Sequence, residues 1–544
     1  ALVVDADTAE VGFVPGSLVT DPAVLEALTA LTGPDGRPVA MHGAKATMRR
    51  LLDLGVDVRD LAVDTRLAAY LLDPADTTYD LATLLLRYTG LELAGAGAPE
   101  GQLDLEGEGI DPAEEPANAA LAVDRLLIPL REAMTAQGLV DLHDDLEVPL
   151  VRVLARMEAI GIGVDPAVLE RIRDELNEET EALRAQVIAD AGHDFNVNST
   201  KQLREVLFDE LGLTPQKKTK TGYSTDAQSL EKLKGEHPIV EHLLDYREVE
   251  KLRSTYGEGL LAEVGPGDRI RATFNQTVAR TGRLSSDAPN LHNIPVRSER
   301  GRVFRTAFVA PEGHRLLVAD YDQIELRCIA HLAEDPGLVG AFEAGDDIHT
   351  ATAARIFSMD PDDVHVEERS KAKMVSYGLA YGMEAYGLAQ RLNIEVAEAS
   401  EILDAYFAAF PAVKQYMEDT VAEARERGYT ETLFGRRRKI PELASGNRQI
   451  RQAGERQAMN AGIQGLAADI FKVALVNLDR AIDEAGLASR IVLQVHDEII
   501  LETPLDEVEV AGELTAATMR DAFDLRVPLE VDLQVAETWA DAKG

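Results

Sequence analysis

The sequence predicts a multidomain protein that combines an α/β part with an α+β part. A chain of 544 residues is too long for one domain, and its length favours three or four. Residues 1–95 alternate short strand-like runs with amphipathic helical patterns, which is typical of an α/β domain. Beyond residue 146, long helical patterns are interrupted by a few apolar runs of β type, which favours an α+β fold.

The first elements along the chain are the runs LVVDADTAEVGFV and RPVAMHGA, which predict strands between helices. The loose acidic stretch 95–120 is predicted to be a linker or an insertion, because it is rich in Gly, Ala, Pro and acids. From Leu146 to Ala191 the pattern predicts helix, with a break at Gly161-Ile162-Gly163 and a new start at Asp165-Pro166.

Two β-type regions carry acids where strands are predicted to end. The apolar run Leu316–Ala319 leads directly to Asp320, and the runs on either side of His496-Asp497-Glu498 predict a tight hairpin with acids at its turn. Carboxylates at strand ends commonly hold divalent metals, so Asp320 and Asp497 are candidate ligands that could bridge two ions. For either acid alone a solvated or capping side chain is the commoner situation, and only their combination with a nearby phosphate-binding pattern favours a metal site.

The segment RSKAKMVSYGLAYG repeats cations and aromatic residues at every fourth position. On an α-helix, steps of four residues drift by only about 40°, so Arg369, Lys373, Tyr377 and Tyr381 share one face. Cations suit a polyphosphate, and aromatic rings offer a stacking surface for a base, so this face predicts a nucleoside triphosphate site. The alternative is an exposed basic face with two half-buried tyrosines.

The composition limits the possible classes of protein. A net charge of −40 argues, as a sum, against a polyanionic partner, but Gly435–Arg456 holds seven cations against two acids and Arg297–Arg305 holds four against one. Basic tracts on an acidic body fit a nucleic-acid channel whose outside repels stray polyanions. The hydrophobic content of 45% permits sizeable cores, and the lack of an unbroken run of 18 apolar residues predicts no membrane span. The single cysteine, Cys328, is expected inside a packed helix and fits a reducing cytoplasm.

Several segments resemble motifs of one enzyme family. DYDQIELR (Asp320–Arg327), RSKAKMVSYGLAYG (Arg369–Gly382) and QVHDE (Gln494–Glu498) are similar, in the same order, to motifs A, B and C of family A DNA polymerases. TGRLSS (Thr281–Ser286) and PNLHNIP (Pro289–Pro295) also resemble signatures of that family. The resemblance runs from about residue 146 to the C-terminus. It implies a DNA-templated DNA polymerase that adds dNTPs to a primer 3′-OH by two-metal nucleotidyl transfer.

The resemblance also implies an architecture, namely an RNase H-like 3′-5′ exonuclease-type domain followed by a right-hand polymerase domain of thumb, palm and fingers. The expected domains are 1–135, exonuclease-like; 136–264, thumb; 265–342, first part of the palm; 343–462, fingers; and 463–544, second part of the palm. At the tip of the expected thumb, Lys217-Lys218-Thr219-Lys220 predicts a mobile loop, which either grips the duplex backbone or is simply flexible.

Site residues are implied by the same motifs, position by position. Asp320, Asp497 and Lys373 are the expected catalytic residues: the two aspartates resemble the metal ligands, and Lys373 would protonate the leaving pyrophosphate. The carbonyl of Tyr321 is a further expected ligand, and the metals are two Mg²⁺ ions, which Mn²⁺ can replace. The residues expected to contact the incoming nucleotide are Arg369, Lys373, Tyr377, Glu325, His349 and Gln323. Those expected to contact the template or primer are Arg283, Tyr381, Arg456, Asn460, Gln464, His496 and Arg297, with Lys217, Lys218 and Lys220 in the thumb.

Some of these positions have a more specific implied chemistry. Glu325 matches the glutamate that screens out a ribose 2′-hydroxyl. Family members carry Phe or Tyr at position 377, and a tyrosine hydroxyl can occupy the place of a missing 3′-OH, so dideoxynucleotides should be accepted readily. Arg456, Asn460 and Gln464 recur in four-residue steps, and such polar forks suit the acceptors of the minor groove. The alternative for these three is an ordinary polar helix surface.

The N-terminal region departs from the family pattern for proofreading, which needs acidic ligands for two metals. Thr47 stands where the second exonuclease motif has its aspartate. Near the third motif, Asp124 has Ala120 four residues before it instead of tyrosine. Asp5-Ala6-Asp7 could be mistaken for the first motif, but it falls where a hairpin turn is expected. Residues 1–135 are therefore expected to be catalytically dead, with the possibility open that a first motif lies upstream of Ala1.

The function expected from all of this is DNA synthesis in repair and gap filling, without proofreading. The enzyme is expected to act as a monomer on primer-template DNA and dNTPs in the cytoplasm, associated with the nucleoid and not with a membrane. Because the chain starts at Ala1 inside an apolar run, we expect a fragment, and no part of it resembles the 5′-nuclease domain that usually precedes this region. An inert DNA-binding scaffold would not need Asp320, Asp497 and Lys373. An enzyme that mainly degrades 3′ ends would need acids near Thr47.

Overall fold

The structure is a computed structural model, and it describes residues 1–94, 112–220, 222–295 and 298–543. The chain divides into two compact units, and each draws on separated stretches of sequence. The first unit comprises Ala1–Ile160, Phe274–Ser286 and Leu317–Gln534. The second comprises Gly161–Thr273, Asp287–Leu316 and Val535–Gly544. The expected boundaries of thumb, palm and fingers stay predictions.

Most strands in the described residues are short, and the four longest form one sheet. The strands are β1 (Leu2–Asp5), β2 (Glu10–Gly12), β3 (Val39–Met41), β4 (Leu61–Asp64), β5 (Ile162–Gly163), β6 (Lys218–Thr219), β7 (Gly222–Tyr223), β8 (Val264–Gly265), β9 (Arg269–Ile270), β10 (Thr273–Asn275), β11 (Ser285–Asp287), β12 (His314–Tyr321), β13 (Tyr429–Glu431), β14 (Arg437–Lys439), β15 (Arg490–Val495), β16 (Glu498–Pro504) and β17 (Val531–Ala536).

The helices vary from one turn to 38 residues. They are α1 (Pro22–Thr32), α2 (Ala44–Leu52), α3 (Thr65–Leu72), α4 (Leu81–Thr89), α5 (Glu114–Gln137), α6 (Val148–Ile160), α7 (Pro166–Ala191), α8 (Thr200–Arg204), α9 (Ala227–Glu231), α10 (Pro238–Leu252), α11 (Gly259–Ala262), α12 (Glu299–Val303), α13 (Ile324–Ala333), α14 (Pro336–Ala344), α15 (Ile348–Phe357), α16 (Val366–Ala380), α17 (Ala385–Leu392), α18 (Val396–Ala409), α19 (Pro411–Arg427), α20 (Arg448–Ala485) and α21 (Val508–Arg520).

The N-terminal part of the first unit alternates strands and helices, as the sequence predicts. β1 and β2 form an antiparallel hairpin, and β3 and β4 pair in parallel. The expected linker at 95–120 is wrong at its C-terminal end, since Glu114–Ala120 is the beginning of α5. Good helix formers and two acids in the first turn outweigh the flexible composition there. Residues 95–111 of that stretch lie outside the described residues.

A four-stranded sheet, ordered β15–β16–β12–β17, positions the candidate site. β15 and β16 form the predicted hairpin, with Val495 opposite Glu498. The side chains of β12 and of the hairpin are almost all buried. Cys328 on α13 is fully buried, as expected for a small core residue.

Helix α20 forms much of the core beside this sheet, and it contacts α6, α13, α19 and α21. Ile463, Leu466, Ile470 and Leu475 along it are completely buried. Within the described residues it is the one helix long and apolar enough to cross a membrane, but 78% of its most apolar window is buried inside the protein. A core helix therefore accounts for its composition.

The second unit is mainly helical, and α7 packs along α10. Asp165 caps α7 by accepting the N–H groups of Ala167 and Val168, at 2.9 and 3.2 Å. The helix start predicted at Asp165-Pro166 is thus confirmed. The break predicted at Gly161-Ile162-Gly163 is also confirmed, because this segment leaves helix α6 and forms β5.

Candidate active site

The two acids predicted as metal ligands stand at the same end of the four-stranded sheet. Asp320 is the last residue but one of β12, and Asp497 lies in the turn that joins β15 to β16. The neighbouring turn residue, His496, is exposed and has a left-handed backbone with φ of +56°. The N–H of Tyr321 donates to the carbonyl oxygen of Asp497 at 3.3 Å, which joins the strand end directly to the turn.

This donor set fits a hard divalent cation. Carboxylate and carbonyl oxygens are the ligands that Mg²⁺ prefers, and Mg²⁺ is commonly held by only one or two carboxylates together with substrate phosphates and water. No group of three or more His, Cys, Asp or Glu side chains in the described part of the chain could hold a metal by itself. Asp320 and Asp497 would therefore hold metal together with a phosphate-bearing ligand. The ring of Tyr321 is buried, and its hydroxyl donates to the carbonyl of Met519 at 2.6 Å, which anchors the strand end.

The predicted stripe of cations and rings lies on α16. Arg369, Lys373 and Tyr377 belong to this helix, while Tyr381 follows directly after its last residue, Ala380. Arg369 donates to the carboxylate of Asp347 at 2.7 and 3.2 Å. Lys373 is exposed. The stripe exists as predicted, except that its last member is beyond the helix end.

His349 and Tyr377 contact each other beside this stripe, with ring centroids 5.6 Å apart. His349 is 2% exposed, and burial, reinforced by the charge of Lys373, lowers its pKa to about 4. Its ring is therefore neutral near pH 7. Burial and the nearby Glu325 raise the pKa of Tyr377, so its hydroxyl keeps its proton and can donate. The sequence identified both residues, but only the structure shows this contact and the uncharged state.

Glu325, at the start of α13, connects two other predicted contact residues. Its carboxylate accepts hydrogen bonds from the guanidinium of Arg283 and from the hydroxyl of Tyr381, the latter at 3.2 Å. Burial opposes the charge on Arg283, but Glu325 and Tyr381 outweigh it and raise the pKa of Arg283. Gln323, just before the helix, has a left-handed backbone with φ of +55°. A charged acceptor that is only 7% exposed thus holds Arg283 and Tyr381 together.

The three predicted DNA contacts on α20 are half-buried, close to the end of α16: Arg456, Asn460 and Gln464. A Cβ on Gly382 would come within 3.0 Å of the Asn460 amide and 3.2 Å of the Cβ of Arg456, and the φ of Gly382 is +66°. Glycine is therefore required where the chain leaves α16 against α20. Arg456 pairs with Glu384 at 2.9 Å. The buried Oδ1 of Asn460 has no hydrogen-bond partner among the described residues, and Gln464 is half-buried one turn further along.

The predicted thumb contacts belong to the second unit. Lys217, Lys218 and Lys220 are exposed. The expected mobile loop is wrong for part of this segment, since Lys218–Thr219 pairs with Gly222–Tyr223 as a small antiparallel hairpin. Cross-strand hydrogen bonds, and the hydroxyl of Thr219 donating to the Gly222 carbonyl at 2.7 Å, order it. The predicted template contact Arg297 lies outside the described residues.

The N-terminal residues compared with the exonuclease motifs lie on separate elements, and some of the acids nearby have structural roles. Asp5 accepts the N–H groups of Asp7 and Thr8 at 2.9 and 3.3 Å, as the expected hairpin turn requires. Thr47 is exposed on α2, and Asp124 is half-buried on α5. Asp64, the last residue of β4, caps α3 and also accepts the N–H groups of residues 43 and 44.

The basic tract Gly435–Arg456 is largely neutralised within the protein. Four of its cations form ion pairs, namely Arg436 with Glu147 and Asp469, Arg437 with Glu431, Lys439 with Asp73 and Arg456 with Glu384. Sequence reasoning gave this tract to DNA because most of its acidic partners are far away along the chain, the exception being Glu431, which is six positions from Arg437. Arg448, in contrast, is exposed at the start of α20.

Sequence reasoning missed a buried group of charges that we call the charge cluster: Glu147, Arg436, Asp469 and Lys472. These residues are between 0% and 5% exposed. One signal was present in the sequence, because Glu147 is the only acid in the otherwise mainly apolar segment LEVPLVRVL. Nothing local indicates its partners.

Comparison with known proteins supplies independent evidence. The model of DNA polymerase family A matches residues 166–541. DNA polymerase I of Mycobacterium bovis is 45% identical over 520 residues, which are 94% of this chain and 57% of that protein. DNA polymerase I of Geobacillus stearothermophilus is 45% identical over 533 residues, covering 97% of the chain and 60% of the relative. The thermostable DNA polymerase I of Thermus filiformis is 44% identical, with 96% and 62% covered. The chain thus spans roughly three-fifths of these relatives.

Among solved structures, the chain is similar to the POL domain of Pol1 from M. smegmatis in complex with DNA primer-template and dNTP. The TM-score is 0.89 and the identity 44%, with 96% of this chain and 90% of that one covered. These matches confirm the resemblance predicted from the motifs and the mixed helix-and-sheet fold. The RNase H-like arrangement of residues 1–135 stays a prediction.

Proposed function

The chain belongs to DNA polymerase family A, and on that premise we propose that it is a DNA-templated DNA polymerase. It would add dNTPs to a primer 3′-OH by nucleotidyl transfer, with two divalent ions, normally Mg²⁺, in repair and gap filling. Members of this family use divalent metal ions. The relative in M. smegmatis is described with primer-template and dNTP, which supports the same partners for this chain.

One observation carries the proposal. The acids Asp320 and Asp497 lie at one end of the sheet. Tyr381, just after α16 and its cations, donates a hydrogen bond to Glu325 on α13, the helix that follows Asp320. Asp497 and Glu325 both contribute to the raised pKa of Tyr377, after burial, so the tyrosine lies within electrostatic reach of the sheet end. The residues proposed as metal ligands, phosphate-binding cations and stacking surface are thus linked by these contacts, which supports the proposal.

The side chains would divide the reaction as follows. Arg369 and Lys373 bind the triphosphate, and Lys373 gives a proton to the leaving pyrophosphate oxygen. Asp320 and Asp497 would hold divalent ions, which when bound would activate the 3′-hydroxyl as a nucleophile and neutralise charge on the phosphates. Glu325 and Tyr377 border the sugar.

The primer terminus would be read from the minor groove. Arg283, Asn460 and Gln464 donate to the purine N3 and pyrimidine O2 acceptors that every correct pair presents. The amide nitrogen of Asn460 would make this donation. Its amide oxygen, which has no partner among the described residues, is an acceptor and would take a hydrogen bond from a donor in the groove such as the guanine amino group. Closure of α16 on a correct pair would couple selection to chemistry.

We also propose that the chain lacks proofreading, acts as a monomer, and works in the cytoplasm near the nucleoid. Thr47 in place of an aspartate, and Asp5 engaged in a hairpin turn, support the loss of exonuclease activity. A metal-dependent nuclease needs several carboxylates around its ions.

A single gel tests this function. A 5′-labelled primer with a mispaired 3′ end is annealed to a longer template and incubated with Mg²⁺, with and without dNTPs. We expect slow extension with dNTPs and no shortening without them. Shortening that survives stringent purification would overturn the proposed loss of proofreading, whereas failure to extend even a matched primer would indicate an inert DNA-binding scaffold.

Substitutions connect the activity to the site. Asp320→Asn and Asp497→Asn should each abolish extension, with losses of about 10³-fold or more, because each removes a carboxylate ligand. Asp506→Asn is the matched control, since Asp506 is exposed in the turn at the other end of β16. Equal activity of the Asp497 and Asp506 variants would exclude the proposed metal site.

A further inference from the structure

The charge cluster joins three distant parts of the first unit. Glu147 ends the π-helical segment Leu142–Glu147, Arg436 precedes β14, and Asp469 and Lys472 lie on α20. Glu147 accepts from Lys472 at 2.6 Å and from Arg436. Asp469 accepts from the Nε of Arg436 at 2.8 Å.

Burying four charges is expensive, and the arrangement limits the cost by pairing two acids with two bases. Burial opposes the charge of Glu147, but Lys472 and Arg436 outweigh it and lower the pKa of Glu147 to about 2. Burial lowers the pKa of Lys472 to about 8, despite its contact with Glu147. The hydrogen bonds of Glu147 and Asp469 hold the guanidinium of Arg436 in a fixed orientation. Buried ion pairs add little stability compared with apolar packing, so a role in positioning is the better explanation.

The cluster lies directly against the segment Gln276–Arg283. Gln276 donates to the carboxylate of Glu147 at 2.7 Å and to its carbonyl at 3.0 Å. Gly282 has a φ of +84°, and a Cβ on it would stand 2.4 Å from the Nε of Arg436, so its backbone lies on the guanidinium. Between these two points, the carbonyl of Ala279 accepts from the buried hydroxyl of Tyr70 at 2.6 Å.

The next residue after Gly282 is Arg283, which donates to Glu325. Arg283 is therefore restrained at two points. Its guanidinium binds Glu325, and its backbone belongs to the turn that packs on Arg436. None of the four residues of the charge cluster hydrogen-bonds to Glu325 in the described contacts, so the connection runs through Arg283.

We propose that Arg436, with Glu147, is a positioning residue that holds the turn Thr281–Arg283, so that Arg283 can read the primer-terminal base pair. The inference rests on the proposed polymerase function and deepens it. It also assigns a use to the N-terminal residues, since Tyr70 and Glu147 support the same turn.

A double-mutant cycle tests the inference in the full chain. kcat and KM are measured for extension of matched and mispaired primer ends by the unchanged protein, Arg436→Lys, Arg283→Ala and the double variant. Lysine keeps the charge of Arg436 but loses the planar fork that bonds both acids. We expect Arg436→Lys to lower kcat/KM on a matched end by about 10- to 100-fold, the effect of a small misplacement, and to reduce discrimination against the mispaired end.

Coupling distinguishes positioning from a general loss of stability. If Arg436 acts through Arg283, then Arg436→Lys should change kcat/KM little in a protein that already carries Arg283→Ala. Arg152→Lys is the matched control, because Arg152 pairs with Asp57 and Asp479 in a separate ion network of the same unit, and its effect should add to that of Arg283→Ala.

A milder variant covers the case in which Arg436→Lys does not fold. Tyr70→Phe keeps the ring and removes only the hydrogen bond to Ala279, and it should show the same non-additive pattern with a smaller effect. Additive losses in both cycles would overturn the inference and leave the polymerase function standing. An unchanged protein that extends no primer would overturn both.

Discussion

Glu325 shows what a single residue can determine in this protein. A carboxylate accepts but does not donate, so two donors can share it without competing with each other. Here the donors are Arg283 and Tyr381, which the motifs imply as contacts to the primer terminus and the template. A residue expected to exclude a ribose hydroxyl therefore also holds two side chains that we propose contact DNA.

Substitution of Tyr377 tests the sugar side of the site. Its protonated hydroxyl can replace the 3′-OH that a dideoxynucleotide lacks, so Tyr377→Phe should lower dideoxynucleotide incorporation relative to dNTPs by about tenfold or more, the effect of one charge-assisted hydrogen bond. The ratio of kcat/KM for ddNTP and dNTP measures it. Tyr386→Phe is the control, because Tyr386 is 62% exposed on α17. If the Tyr377 variant uses ddNTPs as well as the unchanged chain, the hydroxyl has no such role.

At the scale of elements, α15 and α16 are connected by an ion pair at the nucleotide face. Asp347 caps α15 by accepting the N–H of Thr350 at 2.7 Å, and it also holds Arg369. Burial opposes the charge on Asp347, but the hydrogen bonds from Arg369 and Thr350 lower its pKa well below its usual value. A triphosphate would have to compete with Asp347 for Arg369.

Asp347→Asn should release Arg369 without removing the helix cap, since asparagine caps as well as aspartate. An exposed ion pair is worth up to about 1 kcal/mol, so we expect the KM for dNTPs to fall by up to about fivefold, with kcat unchanged. Steady-state kinetics measure it. Asp346→Asn is the control for a general change in charge, because Asp346 is an exposed neighbour. Equal KM values for the two variants would show that Asp347 does not restrain Arg369.

At the scale of the whole molecule, the net charge of −40 says little about the DNA-binding surface. Four of the seven cations in the most basic tract of the sequence pair with acids, and of these pairs only that of Arg436 is buried. The proposed attraction to DNA would therefore depend on the local arrangement of exposed cations, such as Lys373 and Arg448, and not on a positive field around the whole protein.

Stability against acid is a second property of the whole molecule. His349 has a pKa of about 4 in the folded protein, mainly because of burial, against about 6.5 when unfolded. Between these values the unfolded chain binds more protons, so the contribution of His349 is present above pH 6.5 and is lost as the pH falls to 4. At pH 5 the loss is about 2 kcal/mol.

His349→Gln should remove this pH dependence. Calorimetry at pH 7 and pH 5 should show a smaller fall in the unfolding midpoint for this variant than for the unchanged chain, by a few degrees. His365→Gln is the control, because His365 is exposed. If both variants lose as much stability as the unchanged chain, His349 is protonated normally in the folded state.

The sequence by itself determined the features that depend on neighbouring residues. The four-residue spacing on α16, the acidic turn between β15 and β16, the cap of α7 at Asp165 and the burial of Cys328 all follow from local periodicity and turn chemistry. The family could be identified for the same reason, since its motifs are contiguous.

The tertiary structure alone decided which charges meet. Glu147, Arg436 and Asp469 are separated by 289 and 33 positions, and no sequence period links them. The same is true of Arg283 and Glu325, and of Lys439 and Asp73. The short hairpin at Lys218 and the helical start of α5 at Glu114 also departed from their local composition. Pairing of this kind depends on how distant segments pack, because burial makes an unpaired charge costly and selects its partner from whichever segment lies nearest.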